Sequence, residues 1–467
     1  MANQLYSACM DGNIEEVKQL LDHSTLERDE VNQVYDGQIP FHLVGQEGKF
    51  EWKKSMLNLK GVNINKTRNT ATPFHIACWN GHIEVVKLLL SDERVEINKT
   101  SEKCWTPFYT ACRNKHIEIV KFLLNDKRVN VNQTNNNGQT PFYISCKYGH
   151  IEIVKLLLNY ERIDINKENH DGKTPFYIAC YYEHVEIVKL LSNDKRMDIN
   201  KANEYGKTPF YILCYYGHVE IVKLLSNDKR IDINEADKYS RTPFYIACQQ
   251  GRIEIVKLLL KDNRVDVNQG NEVDWTPFYI SCRIERIEIV KLLLNDKRVD
   301  INKANNHGET PLHSACEYGK VKIVKLLLTN KRVIDSTRIK NKDGKLSIDI
   351  ARENEREEKK NSESEEQFYK RKQKYRAIIQ LLELFERNPT EIRKQLRILE
   401  FAGILFYFSF LLIFFFLFLF LFSFLFLFFI STLLNQYQYF QGDDAAALFA
   451  IVVLLSDDYL DFKASID

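Results

Sequence analysis

Apolar positions in this chain recur on two scales. In His184-Val-Glu-Ile-Val-Lys-Leu-Leu191, Val, Ile and Leu fall at i, i+3, i+4 spacing, the pattern of a helix with one apolar face. A shorter apolar run precedes it, Thr174-Pro-Phe-Tyr-Ile-Ala-Cys180. Its Thr suits an N-cap, and its Pro suits the first helical position, where a missing N–H leaves no bond unmade. The spacing therefore predicts a short first helix, a turn such as Gly149-His150, and a second helix. Asn193-Asp-Lys-Arg ends that helix, and Met197-Asp-Ile-Asn200 opens an extended polar excursion to the next Thr-Pro.

On the larger scale the whole unit returns. Prolines stand at 73, 107, 141, 175, 209, 243, 277 and 311, each 34 residues after the last, and Pro40 stands 33 before Pro73. A fixed period of this length marks a solenoid, in which each two-helix module covers the apolar flank of its neighbour. Eight regular units occupy residues 69–336. Residues 1–68 read as an N-terminal cap followed by a degenerate unit, in which Trp52-Lys-Lys-Ser-Met replaces the usual second helix. Residues 337–388 read as a terminal capping unit, with a first helix in 343–352 and a second from Tyr375 to Phe385. The charged insertion between them, 353–374, predicts a solvated helix or a disordered loop; a coiled coil fits less well, since no a/d heptad runs through it. A short linker helix follows over 389–400.

The repeated Gly-Lys-Thr-Pro-Phe-Tyr-Ile-Ala-Cys … Gly-His-Ile-Glu-Ile-Val-Lys-Leu-Leu-Leu … Val-Asp-Ile-Asn pattern resembles the ankyrin repeat, whose core reads Thr-Pro-Leu-His. The resemblance spans about residues 1–388 and implies an all-α ankyrin solenoid of stacked helix–turn–helix units with hairpin-like loops. Two departures stand out. The period is 34 with an extra residue in the Asn-Asp-Lys-Arg linker, and Tyr replaces the familiar His at 109, 143, 177, 211, 245 and 279. In the family that His supports the turn by hydrogen bonds, so a longer Tyr must use a different local network.

Ten cysteines do not change this picture. Cys78, Cys112, Cys146, Cys180, Cys214, Cys248, Cys282 and Cys316 share one repeat position. Stacked helices lie about 8–10 Å apart, beyond the roughly 7 Å between Cα atoms that a disulfide tolerates. With no Cys-x-x-Cys pair, small buried thiols in a reducing compartment are expected, and no metal site. The histidines at 82, 116, 150, 184 and 218 fill the turn position and predict a structural role. No phosphate-binding glycine loop, zinc-protease or nucleophile-elbow motif is present, so neither a catalytic residue nor a cofactor nor a small-molecule substrate is expected. The net charge of +2 and the matching of each unit's Lys and Arg by nearby Asp and Glu argue against nucleic acid.

One segment is of another kind. Residues 401–434 carry no charge over 34 positions, more than the about 20 apolar residues that span a bilayer. Arg387, Arg393, Lys394 and Arg397 precede it, and no cation follows until Lys463. The positive-inside rule then keeps the repeats in the cytosol, with the segment as a single C-terminal membrane span. The second reading is a translated pyrimidine-rich intron, which would leave a cytoplasmic protein. In that case the 435–467 tail, with its amphipathic helix, continues an ordinary soluble domain.

Function then rests on surface. A solenoid of this type presents a long concave face to protein partners, and the residues after each Ala-Cys vary while the framework does not. Trp79, Arg113, Lys147, Tyr148, Tyr181, Tyr182, Tyr215, Tyr216, Gln249, Gln250, Arg283 and Tyr318 are the candidate partner-binding residues. Five tyrosines among them fall on three consecutive units, and Tyr is favoured in binding hot spots for its area and hydroxyl at low entropy cost. The sequence predicts a protein-interaction scaffold, anchored to a membrane or, on the second reading, recruiting substrates for an enzyme complex.

Overall fold

The structure, a computed structural model, describes residues 62–67, 70–398 and scattered positions before 62. Most of the N-terminal cap, the candidate span 401–434 and the tail 435–467 lie outside the described residues. Among those described, no helix is long and apolar enough to cross a membrane. The chain divides into two compact units, residues 1–386 and 387–467. In the second, residues 389–398 are helical.

In the first unit the regular repeats give sixteen helices. The first helices are α1 (Pro73–Asn80), α3 (Pro107–Arg113), α5 (Pro141–Lys147), α7 (Pro175–Tyr181), α9 (Pro209–Tyr216), α11 (Pro243–Gln250), α13 (Pro277–Arg283) and α15 (Pro311–Glu317). The second helices are α2 (Ile83–Leu90), α4 (Ile117–Leu124), α6 (Ile151–Leu158), α8 (Val185–Ser192), α10 (Val219–Ser226), α12 (Ile253–Leu259), α14 (Ile287–Asn295) and α16 (Val321–Thr329). First helices stack on first helices and second on second, in two parallel rows. Every first helix begins as the sequence requires: the Thr hydroxyl accepts from the backbone N–H three residues on, as Thr174 does from Tyr177 at 3.1 Å, and Pro follows.

The core lies between the rows. Phe176, Cys180, Val188 and Leu191 and their equivalents are fully buried. All eight repeat cysteines are buried free thiols, and burial pushes each thiol well above its ordinary range. They act as small apolar fillers where first helices approach.

Side-chain ladders run from unit to unit. Asn132 Nδ2 donates to the Arg162 carbonyl at 2.7 Å while its Oδ1 accepts from the Asp164 N–H at 2.9 Å. The same two-bond clamp recurs from Asn65, Asn98, Asn166, Asn200, Asn234 and Asn268. A second ladder explains the Asn-Asp-Lys-Arg linker. Its Arg pairs with the Asp two residues before and reaches back to the last carbonyls of the previous second helix. Arg196 thus meets Asp194 at 2.6 Å and the Leu158 carbonyl at 2.8 Å, and Arg298 reaches the Leu260 carbonyl at 2.6 Å. A cation at a helix C-terminus is favoured by the exposed carbonyls there. The Arg beside each Asp holds its carboxyl below the usual range. A third ladder uses the turn histidines: His116 Nε2 lies 2.8 Å from the Trp79 carbonyl and His184 Nε2 2.9 Å from that of Lys147. Arg252 and Arg286 take the same position with Nε.

The tyrosines that replace His use their extra reach as expected. Asn135 Nδ2 donates to the Tyr109 hydroxyl at 2.9 Å and Asn203 Nδ2 to that of Tyr177 at 3.1 Å, while the Tyr211 hydroxyl donates to Asp237 at 3.0 Å. Each ties a first helix to the hairpin base of the next unit. That base Asn or Asp also accepts from backbone N–H groups two and four residues on, as Asn135 does from Asn137 and Gln139. The hairpin tips then need a left-handed residue, which is Gly at 138, 172, 206 and 308 but Thr70, Cys104, Ser240 and Asp274 in the other regular units. Ser240→Gly should therefore raise stability by about 0.5–1 kcal/mol, read as a higher denaturant midpoint at unchanged slope.

The C-terminal end departs from expectation. The linker before the capping unit is longer, and residues Lys331–Arg338 coil into a 3₁₀ helix. The Asn302 clamp is consequently half made: it donates to the Arg332 carbonyl at 3.0 Å, but its Oδ1 is buried without a partner. Helix α17 (Ser347–Arg356) stacks on α15, and α18 (Glu365–Arg387) begins at Glu365 rather than at Tyr375. The charged insertion is thus helical over 353–356 and 365–374. It breaks only over 357–364, where Arg371 closes the turn on Glu363 at 3.0 Å and on Glu357 at 3.4 Å. Its charges satisfy one another locally, which is why no hydrophobic heptad was needed.

Candidate protein-binding strip

The variable positions after each Ala-Cys form one line down the C-terminal ends of the first helices. Trp79, Tyr148, Tyr182, Tyr216 and Tyr318 are 39–45% exposed. Arg113, Lys147, Tyr181, Tyr215, Gln249, Gln250 and Arg283 are half-buried beside them. Four of the tyrosines meet. Tyr181 packs edge-on against Tyr182 and against Tyr216 with centroids 5.0 Å apart, and Tyr215 does so against Tyr216 at 4.9 Å. The Tyr216 hydroxyl donates to that of Tyr181 at 3.4 Å. Tyr148 stands apart from this cluster, stacked on His150 at 5.9 Å. Gln249 and Gln250 join neither group; Gln249 offers only its carbonyl to Arg286.

Two tryptophans belong to the strip that the repeat position after Ala-Cys does not reveal. Trp105 and Trp275 lie on the hairpin leg immediately before Thr-Pro. Trp105 stacks between Trp79 at 5.7 Å and Tyr109 at 5.8 Å. Arg113 lies 4.8 Å over the Trp105 ring and 5.3 Å over Tyr148. The same constellation returns 170 positions, or five units, later: Trp275 stacks on Tyr279 at 5.7 Å, and Arg283 lies 3.9 Å over Trp275 and 4.6 Å over Tyr318. The signal was in the sequence, since Trp before Thr-Pro and Arg after Cys occur together in these two units and in no other regular unit.

The charge matching expected of every unit holds along the second helices and the linkers and in part at the hairpins, where Lys173 meets Asp171 at 2.9 Å and Arg241 meets Asp237 at 2.6 Å. Along the second helices, Lys121 pairs with Glu118 at 2.7 Å, and the pairs at 84/87, 152/155, 254/257 and 288/291 repeat it. The linkers carry the Asp–Arg pairs. On the strip, Lys103, Arg113, Lys147, Lys207 and Arg283 make no ion pair among the described residues. They rest on aromatic faces instead: Lys103 is 5.3 Å from Trp105 and Lys207 5.8 Å from Tyr215. Such contacts hold a cation without neutralising it.

Stacked two-helix units with a hairpin between them, and a variable strip beside those hairpins, define a repeat solenoid. The family models agree: ankyrin repeats (3 copies) match residues 5–101, 108–203, 161–237, 195–271 and 245–339, and ankyrin repeats (many copies) match 85–124. The chain belongs to the ankyrin-repeat family. No curated protein matches it.

Proposed function

We propose that this chain is a protein-interaction scaffold without catalysis of its own, its partners bound along the aromatic strip on the concave side of the array. The observation that carries the reading is the exposed Tyr181, Tyr182, Tyr215 and Tyr216 cluster. Its rings pack on one another and still leave Tyr182 and Tyr216 about two-fifths exposed. Exposed aromatic area of this kind is what binding hot spots use. In the same proposal residues 401–434 tether the array to a membrane, with the repeats on the cytosolic side.

Proximity labelling from the repeat domain tests both parts. The fourfold change of these tyrosines to Ala should remove most labelled partners while the melting transition stays cooperative. Deletion of 400–442 should move the labelling from membrane to cytosolic proteins. An unchanged partner set in the fourfold variant rejects the scaffold reading of this strip, and an unchanged location in the deletion rejects the tether.

A further inference from the structure

The two Arg-on-Trp constellations share a framework but not a charge. Around Arg113 stand Lys103, Gln139 and Lys147; at the same repeat positions around Arg283 stand Val273, Glu309 and Glu317. Arg283 has a carboxyl near enough to act on, because its charge opposes the upward push that burial and Glu309 exert on Glu317. Arg113 has none: its guanidinium reaches only the Asn114 amide oxygen at 3.3 Å and the Tyr148 hydroxyl at 3.4 Å. A groove of about 380 Å³ opens there, between the second and third regular units. Its lining holds three cations, Lys103, Arg113 and Lys147, and no carboxylate. A second groove of about 620 Å³ shares Lys103 and Trp105 with it and adds Trp79, and its lining also holds one carboxylate, Glu102.

We propose that this groove takes an acidic protein segment, an Asp or Glu with an apolar or aromatic neighbour. The carboxylate is met by Arg113, Lys103 and Lys147, and the neighbour lies against Trp105 and Tyr148. The inference rests on the scaffold reading above and names the chemistry of its partner. The reason for an acidic side chain is complementarity. Three cations gathered on one rim repel one another and gain most from a carboxylate brought among them, and planar guanidinium binds carboxylate in a fork. A nucleic acid fits less well. A single strand needs a cationic groove that follows its backbone over several nucleotides, whereas Asp171, Glu183 and Glu204 follow along the next units. The unit carrying Arg283, already supplied with Glu309 and Glu317, is the same receptor with its charge answered from within.

That internal copy supplies the test. Fluorescence anisotropy with the full chain would compare a labelled, capped Glu-Glu-Phe-Glu-Glu peptide, its Gln counterpart and a labelled oligodeoxythymidylate. The acidic peptide should bind about tenfold or more tightly than the Gln peptide, and the preference should shrink as salt rises and the Debye length falls. Gln139→Glu combined with Lys147→Glu should erase the preference with an unchanged melting transition, because the chain already folds with those residues at 309 and 317. Equal binding of the two peptides, tighter binding of the oligonucleotide, or an intact preference in the double variant overturns the proposal. If partners are still lost in the fourfold tyrosine variant while the acidic peptide shows no preference, the scaffold stands and only this inference falls.

Discussion

Replacing Asn132 by Ala is expected to weaken the array by about 1–3 kcal/mol and to split its unfolding into two transitions. The side chain does nothing for its own unit that a smaller residue could not do. Its amide donates to the Arg162 carbonyl at 2.7 Å and accepts from the Asp164 N–H at 2.9 Å, both in the next unit. Removing it leaves two backbone groups, one of them part-buried, without the partner that holds the units in register. A buried backbone group left unmade costs about 1–3 kcal/mol, which falls on the Arg162 carbonyl, whereas water takes up the exposed Asp164 N–H. In a linear array the loss falls on one interface, and stability is nearly a sum of unit and interface contributions. A weakened interface therefore uncouples the units before it from those after it. Asn132→Asp separates this clamp from mere packing. Asp keeps the shape and the acceptor but turns an oxygen toward the Arg162 carbonyl, so it should destabilise at least as much as Ala. A milder Asp variant in urea unfolding, or a single transition in both variants, would refute the clamp.

That Asn stood in plain view in every Val-Asp-Ile-Asn, and its role did not. Residue type and period were enough for everything decided within one unit: Thr-Pro opens a helix because of local capping, and a Cys or Ala at a fixed place is small because helices touch there. What crosses between units was harder to read. The Asn clamp and the Arg that returns to the previous helix join atoms 30 and 38 positions apart, and no spacing rule inside a helix or strand encodes such bonds. The Tyr-for-His exchange fell between these cases. Its longer reach implied a changed network, and only the fold supplied Asn135 or Asp237 as the far end. For the strip, the variable positions pointed to Tyr148 and Tyr216, which stand exposed, and to Tyr181, which is half-buried. They missed Trp105 and Trp275, which come from the hairpin leg and meet the helix ends only after folding. Charge misled more than pattern did. A sum near zero hid the few cations of the strip, such as Arg113 and Lys147, that make no ion pair among the described residues.

Acid should destabilise the array before its carboxylates titrate, and one residue dominates that loss. His75 is buried in the first regular unit, in the place that Tyr holds in the six units after it. Thr110 uses its hydroxyl proton on the Thr106 carbonyl at 2.8 Å, so its oxygen accepts from His75 Nε2, 3.0 Å away. This leaves Nδ1 unprotonated, buried and without a partner. Burial accordingly lowers the His75 pKa from the ordinary 6.5 to about 4, with the Lys99 carbonyl opposing only in part. The folded pKa is the lower one, so between pH 6.5 and 4 the unfolded chain binds the extra proton. Stability is then full above pH 6.5 and falls as the pH drops toward 4, by about 3 kcal/mol from this group alone. The linker carboxylates, held low by their arginines, add a loss only below about pH 4. His75→Gln retains a donor toward Thr110 and cannot be charged. Urea midpoints from pH 7 to 4 should therefore slope steeply in the native chain and clearly less in the variant, where His313 and His150, whose pKa values burial also lowers, keep part of the slope. Parallel slopes in the two would mean that the acid sensitivity resides elsewhere, with buried His313 as the next group to change.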